Sequence, residues 1–315
     1  MLYKCNIKDF VTDSRASYPE IPLSYELFGK ELYTAPIILV NHALTGNSNV
    51  AGEGGWWTDL IGENKAIDTL KYTVLAFNIP GNGYDGFIIE NYKDFIARDV
   101  ARLFLLGLKH LRIKELYAII GGSLGGGIAW EMAALSPRIT QRLIPIASDW
   151  KSTDWLIANC QIQELILLNS KKPVHDARMH AMLCYRTPKS FKERFNRSIN
   201  QELNVFSVES WLLHHGSKLQ KRFQLTSYQL MNQLLKTIDA VNENSGNVLE
   251  TISADIHMVG IDTDLFFSAE ENIETQQELG LTHPKITYNE INSIHGHDAF
   301  LIEFEQLEKI IEGLF

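Results

Sequence analysis

A layered α/β fold with a helical insertion is what this sequence predicts, and three observations predict it. Short, β-branched apolar runs recur in the first and last parts of the 315-residue chain, separated by stretches with helical spacing. The alternation stops after residue 147 and resumes at 256, with helical patterning alone in between. A glycine-rich turn joins one of the runs directly to a helix. Runs that are apolar on both faces and alternate with helices mark a mostly parallel sheet covered on both sides.

The elements follow in order. Residues 22–28 alternate apolar and polar side chains and read as an antiparallel edge strand. Residues 37–40, 72–77, 116–120, 143–146, 256–260 and 286–291 are the parallel-strand candidates. A helix over residues 93–111 places Phe95, Ile96, Val100, Leu103, Phe104, Leu106 and Leu108 at helical spacing. A second helix opens at Leu124 and stops before Pro137, whose ring cannot continue it. A last helix over residues 299–313 carries Leu301, Phe304, Leu307, Ile310 and Ile311 on one face. Residues 1–150 and 250–315 are therefore expected to form the core, and residues 151–249 a helical cap over the C-terminal edge of the sheet. The run Asn-Glu-Asn-Ser-Gly-Asn at residues 242–247 is the linker candidate leading back from cap to core.

Composition narrows the class. Hydrophobic residues make up 45% of the chain and charged residues 21%, as in ordinary globular proteins. With 29 Lys and Arg against 38 Asp and Glu, the net charge is −9, which gives no electrostatic reason to expect nucleic acid or an anionic membrane. Cys5, Cys160 and Cys184 are too few for a disulfide framework, and their spacing suits no zinc site. No metal is expected, and reduced thiols in a cytoplasmic protein are. Lys4, Lys8 and Asp9 interrupt any signal-peptide core. Residues 116–135 carry one charge, Glu131, but also five glycines. They are expected to break into a strand and a helix rather than to form one membrane-spanning helix.

The chemistry centres on Gly121-Gly122-Ser123-Leu124-Gly125-Gly126, between a predicted strand and a predicted helix. That is the setting of a nucleophile elbow, in which a serine sits on a tight, strained turn and small residues two before and two after let the turn close. The helix opening after Ser123 directs its positive end at the site. The turn has neither the spacing of a dinucleotide-binding loop nor the Lys-Ser/Thr of a P-loop. A serine on such a turn needs an acid and then a histidine, in that chain order. The strand candidate ending at 260 is followed by Asp262 and Asp264, and the one ending at 291 by His295 and His297. Pattern leaves both choices open. Backbone N–H groups of Leu44, in the loop after an early strand, and of Leu124 are placed to hold an oxyanion. His42 reads as a packed loop histidine.

At this point the sequence resembles the homoserine O-acetyltransferases, an acyl-CoA-dependent branch of the α/β-hydrolase fold. The resemblance rests on His42-Ala43-Leu44-Thr45-Gly46, Gly55-Trp56-Trp57, Ile120 to Gly126, Ala177-Arg178-Met179, Tyr185-Arg186-Thr187-Pro188, Arg222-Phe223, Asp264-Leu265-Phe266 and Gly296-His297-Asp298-Ala299, in family order. It implies Ser123 as nucleophile, Asp264 as acid and His297 as base. It also implies that Arg178 holds the homoserine carboxylate and Asp298 the ammonium group. A zwitterion calls for one planar cationic fork and one anion. The implied substrates are acetyl-CoA, as co-substrate with no permanently bound cofactor, and L-homoserine, in methionine biosynthesis, with a homodimer left open. An esterase or thioesterase with water as acceptor is the alternative. Two segments are shorter than the family pattern: residues 79–86, where a longer loop is usual, and the cap between Leu168 and Ala177.

Overall fold

The apolar runs pair into one eight-stranded sheet. The computed structural model describes residues 1–241 and 248–315. Its strands are β1 (Tyr3–Val11), β2 (Ser17–Gly29), β3 (Ile37–Asn41), β4 (Thr73–Phe77), β5 (Leu116–Gly122), β6 (Thr140–Ile146), β7 (Asp255–Ile261) and β8 (Ile286–Ile291). They lie side by side as β1-β2-β4-β3-β5-β6-β7-β8. From β4 to β8 every pairing is parallel, while β1 with β2 and β2 with β4 are antiparallel. The expected antiparallel strand at residues 22–28 is thus present within β2, but it is not the edge. β1, whose polar-rich alternation gave no strong strand signal, covers it with Cys5, Ile7 and Phe10 turned inward.

The sheet separates two apolar layers. Along β3, Ile37 and Leu39 join one and Ile38 and Val40 the other, as strand alternation requires. Helices α1 (Ala97–His110) and α2 (Leu124–Leu135) cover the first layer, and α9 (Phe304–Ile311) the second. The first α1 turn starts at 97 rather than 93, because the Asp99 carboxylate accepts the Ile96 N–H at 3.2 Å and caps the helix there. Residues 116–135 do divide into β5 and α2, and among the described residues no helix is long and apolar enough to cross a membrane. The predicted last helix is broken: a 3-10 turn, Gly296–Leu301, precedes α9, and Ile302 N–H and Glu303 N–H both turn back to the Ala299 carbonyl.

Between β6 and β7 the chain builds α3 (Asp154–Asn169), α4 (Pro173–Tyr185), α5 (Pro188–Phe195), α6 (Ser207–Gln220) and α7 (Leu225–Lys236). Helical patterning alone was expected here, but a two-residue ribbon, Ile199–Asn200 against Val205–Phe206, joins α5 to α6. The departing and returning chain segments are stitched together. Ser152 N–H donates to the Ile238 carbonyl and Ala240 N–H to that of Trp150, each at 2.9 Å. The linker candidate at residues 242–247 lies outside the described residues. A further helix, α8 (Ala269–Gly280), follows β7 and is capped by the Ser268 side chain.

Candidate active site

Ser123 occupies the turn between β5 and α2 with φ 54° and ψ −125°, a region that side chains rarely adopt. The neighbours explain why the turn survives. A Cβ on Gly121 would collide with the Gly125 carbonyl, and one on Gly125 with the Asn41 carbonyl. Only glycine at both positions lets β5, α2 and the end of β3 approach so closely. Ser123 N–H is anchored to the Ile146 carbonyl at 2.9 Å, so β6 sets the height of the turn.

The loops after β7 and β8 complete the arrangement. His297 Nε2 lies 2.8 Å from Ser123 Oγ, and His297 Nδ1 lies 2.7 Å from Asp264 Oδ2. A carboxylate only accepts, so Nδ1 carries the proton and Nε2 is free to accept from the serine hydroxyl. The other Asp264 oxygen accepts the N–H groups of Phe266 and Phe267 at 2.7 and 3.0 Å. Every Asp264 oxygen therefore has a partner, although its side chain is wholly buried. The rings of Tyr185, Phe266, Phe267 and Phe300 surround the imidazole at centroid distances of 5.1–5.9 Å.

Placement separates the two members of each pair that pattern left open. Asp262 accepts from Ser293 N–H and shapes the loop, and His295 contacts Ser190 and Arg186; neither approaches Ser123. Leu44 and Leu124 are buried, and their N–H groups donate to no acceptor among the described residues. His42 is a packed loop residue. Its Nε2 accepts the Ile79 N–H at 3.0 Å, its Nδ1 donates to the Ala43 carbonyl, and burial pushes it down to about 4. It thereby ties the loop that holds Leu44 to the short segment at residues 79–86.

Arg178 and Asp298 are both at this site, in different states. The Arg178 guanidinium lies over the Tyr185 ring at 5.4 Å and makes no hydrogen bond or ion pair among the described residues. Asp298 is already engaged, its Oδ2 accepting from Arg186 Nε at 2.7 Å. Three nearby groups were given no role from the sequence, although Arg222 and Tyr228 lie in stretches that carry the resemblance. Arg222 donates to the Thr45 carbonyl at 3.0 Å, beside Leu44. His215 packs at a tilt against Trp211, with ring centroids 4.3 Å apart, and burial, then the Arg178 charge, holds it down at about 4, so the ring is neutral near pH 7. Tyr228 is fully buried, with its hydroxyl 3.4 Å from Gln163 Oε1 and pushed up to about 12 by burial. Nothing in their spacing distinguishes these residues from ordinary helix residues.

The space beside the triad is small. A cavity of ≈ 10 Å³ lies among Leu44, Tyr185, Tyr228, Leu235 and Phe266, enough for one group of water or methyl size. A wider cleft, ≈ 620 Å³, lies elsewhere, at the base of the helical insertion between Trp150 and Lys236, and no triad residue lines it.

Known proteins resemble this chain along its whole length. A family model described as the alpha/beta hydrolase fold matches residues 36–160. A homoserine O-acetyltransferase of Cyclobacterium marinum is 32% identical over 96% of this chain and 92% of its own length. One from Methanococcus vannielii is 33% identical over 96% of this chain and 70% of its own. Among solved structures, the homoserine O-acetyltransferase of Bacillus anthracis superposes with a TM-score of 0.88 at 21% identity, covering 100% of this chain and 97% of that one. Esterase E22 gives the same TM-score at 20% identity, with 100% of both chains covered. At those identities the two structures attest the shared fold.

Proposed function

Because this chain belongs to the homoserine O-acetyltransferase family, we propose that it moves an acetyl group from acetyl-CoA to the hydroxyl of L-homoserine, with Ser123, His297 and Asp264 as the catalytic triad. The observation that carries the chemistry is the unbroken line from Ser123 Oγ through both His297 nitrogens to Asp264. The reaction then runs in two halves. His297 Nε2 takes the hydroxyl proton as Ser123 Oγ attacks the thioester carbonyl. The Leu44 and Leu124 N–H groups, which have no other acceptor among the described residues, hold the oxyanion. The tetrahedral adduct collapses, the C–S bond breaks, and CoA leaves as the thiol with the proton from His297. Homoserine enters, His297 takes its hydroxyl proton as the oxygen attacks the acetyl carbon, and the adduct collapses with the bond to Ser123 Oγ breaking and the proton passing from His297 to that oxygen. Asp264 holds the imidazole upright and stabilises its charged form in both halves.

The acceptor side rests on Arg178 and Asp298. Arg178 is a guanidinium near the triad with no anion of its own among the described residues, which suits a carboxylate from outside. Asp298 keeps one oxygen for an ammonium while Arg186 fixes the other. The small cavity at Leu44 and Phe266 suits a two-carbon acyl group better than a longer one. The helices α3 to α7 serve as the cap that keeps water from the acyl-enzyme.

The test follows the acyl-enzyme. Acetyl-CoA alone should add one acetyl group to the peptide holding Ser123, and that adduct should persist until homoserine is added, then discharge to O-acetylhomoserine. CoA release at one rate with and without homoserine, with acetate as product, would make the protein a hydrolase instead.

A further inference from the structure

The segment from Arg186 to Arg222 departs from the charge of the rest of the molecule. It holds eight Lys and Arg against three Asp and Glu, in a chain whose overall ratio is 29 to 38. Among the described residues, only Arg186 of these eight has a carboxylate partner. The others are at the surface, and several lie on aromatic rings rather than acids. Arg194 sits 5.6 Å from the Phe195 ring and 5.7 Å from that of Trp211, and Arg197 sits 5.4 Å from Phe206. Unpaired cations held against ring faces remain charged and desolvated on one side only, so they attract an incoming anion.

These cations have a definite place relative to the chemistry. Ser190 and Arg194, four residues apart, lie on the α5 face that meets Trp211 of α6, and Arg186 lies in the extended turn just before that helix. With Phe191 and Phe195 they line a narrow cleft between the two helices. One end of the patch reaches the triad loop, because Arg186 is bonded to Asp298, the residue after His297. The other end reaches the oxyanion loop, because Arg222 is bonded to Thr45, the residue after Leu44. An anionic molecule spread on this surface would have its reactive end within reach of Ser123.

Resting on the donor assigned above, we infer that the α5–α6 surface receives the phosphate-bearing nucleotide end of acyl-CoA. Lys189, Lys192, Arg194 and Arg197 draw in the phosphates, and the aromatic faces of Phe191, Phe195 and Trp211 offer a platform for the flat heterocycle. A chain carrying −9 overall would otherwise repel a polyanionic donor, and a local basic patch reverses the field at the site where the donor must land.

The experiment compares two acyl donors in the first half-reaction: acetyl-CoA, which carries the phosphates, and p-nitrophenyl acetate, which does not. In the Lys189→Glu/Lys192→Glu/Arg194→Glu protein, kcat/KM for acetyl-CoA relative to that for p-nitrophenyl acetate should fall at least about tenfold, through KM. In the unmodified protein, the acetyl-CoA KM should rise with ionic strength while the p-nitrophenyl acetate KM stays level, a reading that needs no variant to fold. A donor ratio within twofold of the starting protein, or an acetyl-CoA KM indifferent to salt, overturns the assignment. So does an RNA oligonucleotide that binds the unmodified protein and is lost in the variant while acetyl-CoA kinetics stand unchanged. Failure of the unmodified protein to release CoA at all would instead remove the donor reading on which this rests.

Discussion

The ends of β5, β7 and β8 and the helical wall that faces them treat polar groups in opposite ways. On the sheet side, each Asp264 oxygen, both His297 nitrogens and the Ser123 hydroxyl have partners, and four aromatic rings close over them. On the helical side, Arg178 has no hydrogen bond or ion pair among the described residues, His215 lies against the Trp211 and His214 rings, and Arg194 lies on indole and phenyl faces. The difference matches what each side has to do. Proton transfer needs atoms held at hydrogen-bond distance before substrate arrives, so the polar groups are satisfied internally. Recognition needs groups whose partner is the substrate, so they stand unsatisfied without it.

That contrast can be broken from its strongest point downward. Ser123→Ala should lower kcat by about 10⁴–10⁶-fold and abolish the acetyl adduct, since triad members act as a unit. An adduct that survives on Cys184 would move the chemistry off the sheet side altogether. Asp264→Asn should cost about 10⁴-fold in kcat, because an amide can turn its NH₂ toward His297 and force the wrong tautomer. A loss below tenfold in stopped-flow acylation would mean that the Phe266 and Phe267 N–H groups, and not the carboxylate, position the imidazole.

Arg178→Ala tests the other side. The homoserine KM should rise by the equivalent of about 2–5 kcal/mol, with the acylation half-reaction close to intact. Equal damage to both halves would show that Arg178 supports the Tyr185 ring against His297 and does not hold an acceptor.

The smallest effect lies beneath the site, in a carboxyl that the contrast does not cover. Glu131 in α2 is wholly buried, accepts the Asp239 N–H at 3.0 Å and has Arg98 at 3.7 Å, with one oxygen lacking a hydrogen bond. Burial raises it from 4.5 to about 8. The folded chain thus keeps a proton that the unfolded chain releases at lower pH, so stability falls as pH rises between those values. Glu131→Gln keeps the acceptor for Asp239 and removes the titration. Its melting temperature should exceed that of the unmodified protein by a few degrees at the upper end of this window, an advantage that shrinks towards its lower end. Parallel melting curves for the two proteins would place the ionisation elsewhere.

Legibility in the sequence followed the range of the interactions concerned. The parallel strands, the β5 turn and the order of serine, acid and histidine are local patterns, and each could be read directly. The polar-rich β1 could not, since its strand character comes from pairing with β2 and burying Cys5, Ile7 and Phe10 beneath it. The break in the last helix was hidden for a similar reason. Its apolar spacing runs unbroken through residues 301–311, while the 3-10 turn that carries His297 is held by contacts with β7 and α4.

What the sequence determined by itself is the class of chemistry: a serine that only glycine neighbours permit on its turn, followed by acids and histidines at strand ends. Those constraints act over a few residues, through sterics and strand alternation, and need no knowledge of the remaining chain. Local pattern could not say which histidine meets Ser123 or which aspartate meets that histidine; only the resemblance pointed to Asp264 and His297, and the tertiary structure brings them together, since Asp262 and Asp264 share one loop and differ in which way the packed backbone turns them. It also decided that Asp298 would be engaged by Arg186 while Arg178 stands open beside it, because those side chains come from α4, the turn after it and the loop beyond β8. Separations of more than a hundred residues are closed by the core, and no local pattern records which charges it will bring together.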